Sequence, residues 1–381
     1  MSDALPAADP AFRAMVRAFV DEHLPADLRD REIAGDALSK DDYRRWHRIV
    51  DRRGWVAASW PVEHGGPGWT PLQQHVFDEE CWDAGAPTLL PFGLRMIGPV
   101  LIAHGTPEQQ ARFLPRIRSG DDFWCQGYSE PDAGSDLASL RTRARRAGDG
   151  FTVDGQKTWT TLGAYADWMF CLVRVVEGAD DAGRVSLLLI DLRSPGVTVR
   201  PIAMIDGSTH EIAEVFFDDV RVPGGNLVGG VGKGLSYARQ ILARERTEMA
   251  MVGRSKRLFK LLVAAGSECG ADGRVPLADA RFRGRVAEAE IELRGLDALL
   301  LRTLADGAPE RGPLVSLLKL KGAEVQQQLA ELVLDGAGAS ALARGGAGHA
   351  LERYLNLRKT TIYGGATEIH KNLVAQLHLE L

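Results

Sequence analysis

Gln126-Gly-Tyr-Ser-Glu-Pro-Asp-Ala-Gly-Ser-Asp136, followed after a polar hairpin region by Gly155-Gln-Lys-Thr-Trp-Thr-Thr-Leu-Gly163, is the stretch on which the reading of this chain turns. In its first segment Gly134 lets backbone amides approach an anion closely, and Ser135 adds a hydroxyl donor. The second segment sets Trp159 beside the hydroxyls of Thr160 and Thr161, so a large flat surface adjoins short hydrogen-bonding groups. That combination suits a planar heteroaromatic ring with polar edge atoms. Two β-hairpins around a core Trp are the plainer reading of the same residues.

The surrounding chain is β-patterned from about Phe123. Runs rich in β-branched and aromatic residues at 151–153, 168–174, 185–191, 197–202 and 215–222 are separated by Asp149-Gly150, Asp154-Gly155, Ser194-Pro-Gly196 and Asp206-Gly207. Before this region the period is helical. Phe12, Met15, Val16, Phe19 and Val20 make one apolar stripe; a second helix starts at Ser39, with Asp42 as a weak capping-box partner, and turns Tyr43, Trp46, Ile49 and Val50 inward. A turn at His64-Gly-Gly-Pro-Gly68 is followed by helices near 71–83 and 91–104, and then by Thr106-Pro107, an N-cap with Pro in the first turn. After Gly229-Gly-Val-Gly-Lys-Gly234 the pattern predicts long helices near 234–266, 277–305, 311–336 and 346–360, a loop at Tyr363-Gly-Gly365 and a last helix from Thr367. Residues 264–273, rich in Ala and Gly, read as a linker. The expected fold is α+β: an N-terminal helical domain over 1–122, a middle β-barrel or sandwich over 123–232, and a C-terminal four-helix bundle over 233–381.

Composition excludes several classes. A chain of 381 residues, 45% hydrophobic and 25% charged, has the make-up of a multi-domain globular enzyme. A net charge of -5 with scattered Lys and Arg gives no basic face for nucleic acid. Cys81, Cys125, Cys171 and Cys269 form no CxxC pair, so neither a metal site nor a disulfide framework is expected, and buried reduced thiols are. Residues 1–10 carry no signal-peptide pattern and no apolar run approaches a membrane span, so the expected location is the cytoplasm.

The two opening segments, in this order and spacing, resemble the paired flavin signatures of acyl-CoA dehydrogenases. Phe216-Phe-Asp-Asp-Val-Arg-Val-Pro223 resembles that family's exit from its β domain, and Ile362-Tyr-Gly-Gly-Ala-Thr-Glu-Ile369 its C-terminal flavin and substrate loop. Cys125-Gln-Gly-Tyr-Ser-Glu-Pro131, Lys157-Thr-Trp-Thr-Thr161 and Tyr165-Ala-Asp-Trp168 are most similar to large subunits of pimeloyl-CoA dehydrogenase type. The likeness spans roughly residues 10–380. It implies FAD and desaturation of an acyl-CoA thioester between Cα and Cβ, in which a base takes an α proton while a hydride leaves Cβ for the flavin.

For the site, the resemblance implies that Gln126, Gly127, Tyr128, Ser129, Gly134 and Ser135 line the flavin's pyrimidine edge and pyrophosphate. Trp159 covers the ring face away from substrate, with Thr160 beside it and Thr161 near N5, and Ala366, Thr367 and Glu368 touch FAD from the C-terminal loop. Ser135 also meets the CoA side of the substrate, and Gly364 and Gly365 polarise the thioester. The Glu that many members carry after the loop Tyr is replaced here by Gly364. Another branch places the base on the first helix of the bundle, just before an Arg, and in Leu242-Ala-Arg-Glu-Arg246 that position is Glu245. On a helix, Ala238, Ile241, Leu242, Met249 and Val252 fall within roughly 60 degrees of it, an apolar setting that raises a carboxyl pKa. A structural Glu tied to Arg244 or Arg246 is the alternative. Glu248 stands in reserve, Glu368 ranks last, and Arg246 supports base and substrate.

Three departures from the family's pattern touch the cofactor, the last two its distal half. Ala366 stands where a Thr is frequent, and the Arg-x-x-Phe-Gly segment that holds a neighbouring subunit's FAD is not evident between Gly266 and Arg285. Asp335-Gly-Ala-Gly338 matches the family's adenosine contact poorly. The implied partners are acyl-CoA, electron-transfer flavoprotein, and either further copies of this chain or a small acyl-CoA dehydrogenase subunit. A flavin oxidase or monooxygenase of the same fold, and an FAD-binding subunit that organises a partner, are the competing functions.

Overall fold

A computed structural model describes residues 9–178, 183–248, 250–270, 273–305, 314–342 and 349–379, the side chains of 243–248 and 378 apart. The chain divides into two compact units: Met1–Trp46 with Trp69–Thr88 and Ala243–Leu381, and His47–Gly68 with Leu89–Leu242.

The N-terminal helices begin where their caps place them. Helix α1 (Pro10–His23) is capped by Asp9 and buries Phe12, Val16, Phe19 and Val20. Met15, expected in that stripe, is 39% exposed at its edge. After α2 (Ala26–Ala34), α3 (Lys40–Arg52) opens on a full capping box: Ser39 Oγ accepts from the Asp42 N–H at 3.2 Å, and the Asp42 carboxylate accepts from the Ser39 N–H at 2.8 Å. Trp46 and Val50 are buried, whereas Tyr43 and Ile49 are half-buried. Capping boxes at Thr70/Gln73 and Thr106/Gln109 start α4 (Pro71–Ala84) and α6 (Pro107–Ser119). Between them the single helix expected at 91–104 is a π-helical stretch, Phe92–Ile97, running into α5 (Gly98–His104).

Among the described residues seven strands form one sheet: β1 (Trp124–Gly127), β2 (Arg143–Ala147), β3 (Gly150–Thr161), β4 (Trp168–Val176), β5 (Arg184–Asp191), β6 (Val197–Pro201) and β7 (Ile212–Pro223). One edge of β4 is taken by antiparallel β5; β1 and β2 share the other, both parallel, the first along Trp168–Cys171 and the second along Arg174–Val176. β3, β7 and β6 follow beyond β2. Cys125, Phe151, Val153, Met169, Cys171, Leu188, Ile190 and Val215 fill its core. β2 and the start of β3 form the polar hairpin expected between the two quoted segments, whereas β1 was not among the expected strand runs. In Arg143-Ala-Arg-Arg-Ala147 the Ala144 side chain alternates inward and is fully buried.

The C-terminal helices are α7 (Gly234–Glu248), α8 (Val252–Ser267), α9 (Ala280–Ala305), α10 (Leu314–Ala337), α11 (Ala350–Leu357) and α12 (Thr367–His378). Of the expected spans, 311–313 and 346–348 lie outside the described residues. The stretch 234–266 is two helices rather than one, broken at Met251, whose φ is 48°. The break lies where Ala250, fully buried, passes over Gly322 of α10: a Cβ at 322 would stand 2.6 Å from Ala250 Cα and 2.7 Å from its carbonyl oxygen. Residues 264–267, read as linker, belong to α8, because Gly266 is buried against Leu277.

The close approach at Gly322 gives a direct stability test. Gly322→Ala should lower the stability of the helical unit by about 1–3 kcal/mol through overpacking. Unchanged thermal unfolding would show that the two backbones can separate freely.

Candidate active site

Gln126 and Gly127 end β1, opposite Phe170 and Cys171 of β4, and the chain then makes a tight turn closed by the Glu130 N–H to Ala133 carbonyl bond at 2.8 Å and its reciprocal at 3.1 Å. Glu130 does not face water. Its carboxylate, 7% exposed, accepts from the fully buried Lys157 ammonium at 2.7 Å and from the Thr142 N–H at 3.0 Å. Lys157 also donates to the Tyr128 carbonyl at 3.2 Å, and the Thr158 N–H donates to the Ser129 carbonyl at 3.0 Å. The two segments quoted at the outset are therefore fastened to each other by a buried charge pair and a backbone bond. Sequence reasoning passed over both charged residues, although a Lys alternating with Thr and Trp in a strand was a visible signal.

Two residues beyond Lys157 the register with β7 slips, and Trp159 takes a φ of 58° with its indole 61% exposed. A left-handed backbone at a bulky residue stores strain, which characteristically gathers at functional sites. The plainer reading of a core Trp is thereby ruled out. Beside it, Thr160 Oγ1 is buried with no hydrogen-bond partner among the described residues, and so is Gln126 Nε2 at the end of β1. Thr161 is half-buried. Orphaned donors are costly unless something outside the chain accepts from them. An exposed ring face with orphaned polar atoms on the same segments fits a flat, polar-edged cofactor such as a flavin.

Gly134 and Ser135 are exposed in the loop after the turn. A Cβ at Gly134 would meet no described atom within 4 Å, so only an occupant from outside the chain would need that glycine. Burial pushes the neighbouring Cys171 thiol up to about 12 and the Cys125 thiol above its ordinary value, so neither supplies a thiolate. Cys81 is also buried, whereas Cys269 is exposed, and all four are free thiols.

The remaining candidates lie in the other unit. Glu245 and Arg246 fall within α7, but their side chains lie outside the described residues. On their helix Ala238 and Ile241 are buried, as the apolar stripe requires. Met249 lies outside the described residues, and Val252 belongs to α8, so helical phase does not carry from Glu245 to it. Gly364 and Gly365 have φ of 66° and 98°, Ala366 is the N-cap of α12 without a side-chain cap bond, and Thr367 and Glu368 form its first turn. Lys319 of α10, 2% exposed, donates to the carbonyls of Thr360 and Gly365 at 2.8 and 2.7 Å. His370, fully buried on α12, contacts the Gly364 carbonyl through Nε2 at 3.1 Å. Neither residue was a candidate from sequence, where a single Lys in a helix reads as a solvated face.

A separate polar cluster joins α1, α4, α8 and α9. His75, Glu79 and Asp297 bring ligating atoms within 4.8 Å of one another, but the Lys256 ammonium already contacts Glu79 at 2.5 Å and Asp297 at 2.8 Å. Burial alone would raise the Glu79 carboxyl; Lys256 and Arg13 outweigh it and hold the carboxyl at about 2. This is an internal ion network whose cation is the chain's own.

The architecture of helices, sheet and helices is that of the acyl-CoA dehydrogenases. The structure matches the ChsE4-ChsE5 complex of Mycobacterium tuberculosis with a TM-score of 0.86 at 26% identity, covering 99% of each chain. It matches the Tcur3481-Tcur3483 steroid ACAD with a TM-score of 0.86 at 30% identity, covering 100% of this chain and 99% of that one. The acyl-CoA dehydrogenase N-terminal, middle and C-terminal domain models match residues 7–121, 125–220 and 232–379, and the chain belongs to the acyl-CoA dehydrogenase family. It is 37% identical to acyl-CoA dehydrogenase IpdE1 of Mycobacterium tuberculosis over 380 residues, covering 97% of each chain. It is an oxidoreductase, and no described helix is long and apolar enough to cross a membrane.

Breaking the buried pair tests the scaffold of the site. Burial pushes the Glu130 carboxyl up, while Lys157 and the Thr142 and Arg141 donors outweigh it and hold the carboxyl below its ordinary value. The pair's contribution is therefore present above the unfolded pKa and lost as pH falls through the lower folded one. Lys157→Met leaves the carboxylate unpaired and should cost about 3–5 kcal/mol near pH 7. Because the orphaned carboxyl is then driven upward, the melting-temperature gap to the parent should narrow on acidification to about pH 4. A gap independent of pH would show that Lys157 acts through packing alone.

Proposed function

We propose that the chain is an FAD-dependent acyl-CoA dehydrogenase whose base is Glu245. The observation that carries the reading is the exposed, strained Trp159 with the orphaned Gln126 Nε2 and Thr160 Oγ1, a set that asks for a planar partner with hydrogen-bonding edges. Gln126, Gly127, Tyr128, Ser129, Gly134, Ser135, Trp159, Thr160 and Thr161 would hold FAD, joined by Ala366, Thr367 and Glu368. Bound there, FAD supplies the two-electron oxidant that takes a hydride from Cβ. Glu245 removes the α proton, Arg246 supports that carboxylate, and the N–H groups of the Gly364–Gly365 loop receive the thioester oxygen. With Gly364 where a Glu is frequent, the loop can bind the thioester but cannot deprotonate it.

The electrons then pass to electron-transfer flavoprotein. Likeness to a steroid ACAD at 30% identity favours a ring-bearing acyl group over a linear one. The paired names ChsE4-ChsE5 and Tcur3481-Tcur3483 favour an unequal second subunit, which fits the weak adenosine motif at Asp335-Gly-Ala-Gly338. Free thiols, three of them buried, suit the reducing conditions of the cytoplasm.

Glu245→Gln should keep yellow, FAD-bound protein but lose anaerobic flavin bleaching by acyl-CoA; bleaching at the parent rate would eliminate Glu245 as the base. Trp159→Ala should weaken flavin retention through gel filtration, and normal FAD affinity in that variant would remove the indole from the cofactor site.

A further inference from the structure

The loop from Thr360 to Ala366 is held from behind by two buried side chains that the desaturation chemistry does not otherwise use. Lys319 Nζ donates to the carbonyls of Thr360 and Gly365 at 2.8 and 2.7 Å. His370 Nε2 lies 3.1 Å from the Gly364 carbonyl, which can only accept, so that nitrogen carries the proton. The fit leaves no slack: a Cβ on Gly365 would stand 2.6 Å from His370 Nε2, and the φ of 98° there is one that glycine adopts without strain.

Peptide geometry turns this grip into a direction. The structure has no cis peptide bonds, and in a planar trans peptide the carbonyl and the following N–H point opposite ways. Fixing the Gly364 carbonyl on His370 therefore sends the Gly365 N–H away from α12. Fixing the Gly365 carbonyl on Lys319 sends the Ala366 N–H away from α10. The N–H groups of Gly364, Gly365 and Ala366 find no acceptor among the described residues. A buried ammonium on the carbonyl side also polarises its peptide, which strengthens the donor on the other side.

We propose that Lys319 and His370 are positioning residues that hold the Gly364–Gly365–Ala366 backbone so that its free N–H groups, that of Gly364 included, are turned to the acyl thioester oxygen. The inference rests on the dehydrogenase reading above and adds to it the device that shapes the thioester site. When the α C–H bond breaks and its proton passes to the base, the electron pair left on Cα is shared with the thioester oxygen. It closes into the Cα=Cβ bond as the hydride leaves Cβ for the flavin. Donors fixed in advance stabilise that oxygen without reorganising. Because Gly364 brings no side chain to the loop, its geometry depends on these two anchors.

Difference infrared spectroscopy of a bound α,β-enoyl-CoA reads the polarisation of the thioester carbonyl directly. In the parent, FAD-loaded protein the stretch should fall relative to the free thioester, and Lys319→Met and His370→Leu should each lose about half of that fall or more. In both variants kcat should drop about tenfold or further while KM changes less than about threefold, the signature of an interaction made chiefly in the transition state. His370→Gln, which keeps a side-chain N–H of similar reach, should recover most of the shift. If Lys319→Met fails to fold, the His370 pair of variants decides. A full parental shift in His370→Leu overturns the clamp and leaves the dehydrogenase reading standing. A parent protein that neither shifts the carbonyl nor bleaches with any acyl-CoA overturns both.

Discussion

The buried pair of Lys157 and Glu130 is the constraint on which the proposed flavin seat depends. An ammonium without exposure and a carboxylate nearly without it, 2.7 Å apart, can remain buried only while each keeps the other and the surrounding donors. That requirement brings the turn after β1 against the last residues of β3. It thereby fixes where Gln126 and Thr160 present their unsatisfied atoms and where Trp159 leaves the strand. Had apolar residues stood at 130 and 157, packing could have joined the segments in more than one register. A charge pair with directed hydrogen bonds admits one.

The same logic recurs in the helical unit at the C-terminal loop. There Lys319, on the apolar helix α10, satisfies backbone carbonyls of a loop that has two glycines in the left-handed region. In each place a buried lysine disciplines a segment whose own sequence would leave it loose. The position where family members frequently carry the base is a glycine here, and with it the loop has become a backbone device. In the proposed mechanism the base is instead Glu245, on the first helix of the bundle.

Legibility from sequence followed the range of the physics involved. Local signals read well: the capping box at Ser39, the N-cap at Thr106, the buried stripe of α1 and the paired Gly and Pro turns between strands all follow from residues within a few positions of one another. The helical–sheet–helical order followed from them. What failed were features set by distant residues. The break at Met251 interrupts an apolar period that continues through Val252, and Ala250 packs there on Gly322, more than seventy residues on. β2 was legible as an arm of a polar hairpin, but its place between β4 and β3 is a tertiary fact. At the site, Trp159 with its two hydroxyls was legible as chemistry, but its backbone strain and exposure were not. Lys319 and His370 carry no local signal, since their partners are carbonyls forty-odd and six residues away.

That this chain holds FAD and reduces it with an acyl-CoA thioester is the central claim. Anaerobic titration of the purified, FAD-loaded protein with a panel of linear, branched, dicarboxylic and ring-bearing acyl-CoAs, followed through the flavin absorbance, measures that claim in one step. The account predicts bleaching by at least one ring-bearing thioester, with an equivalent of enoyl-CoA formed per flavin reduced. A flavin that stays oxidised across the panel, or a protein that cannot retain FAD at all, would contradict it.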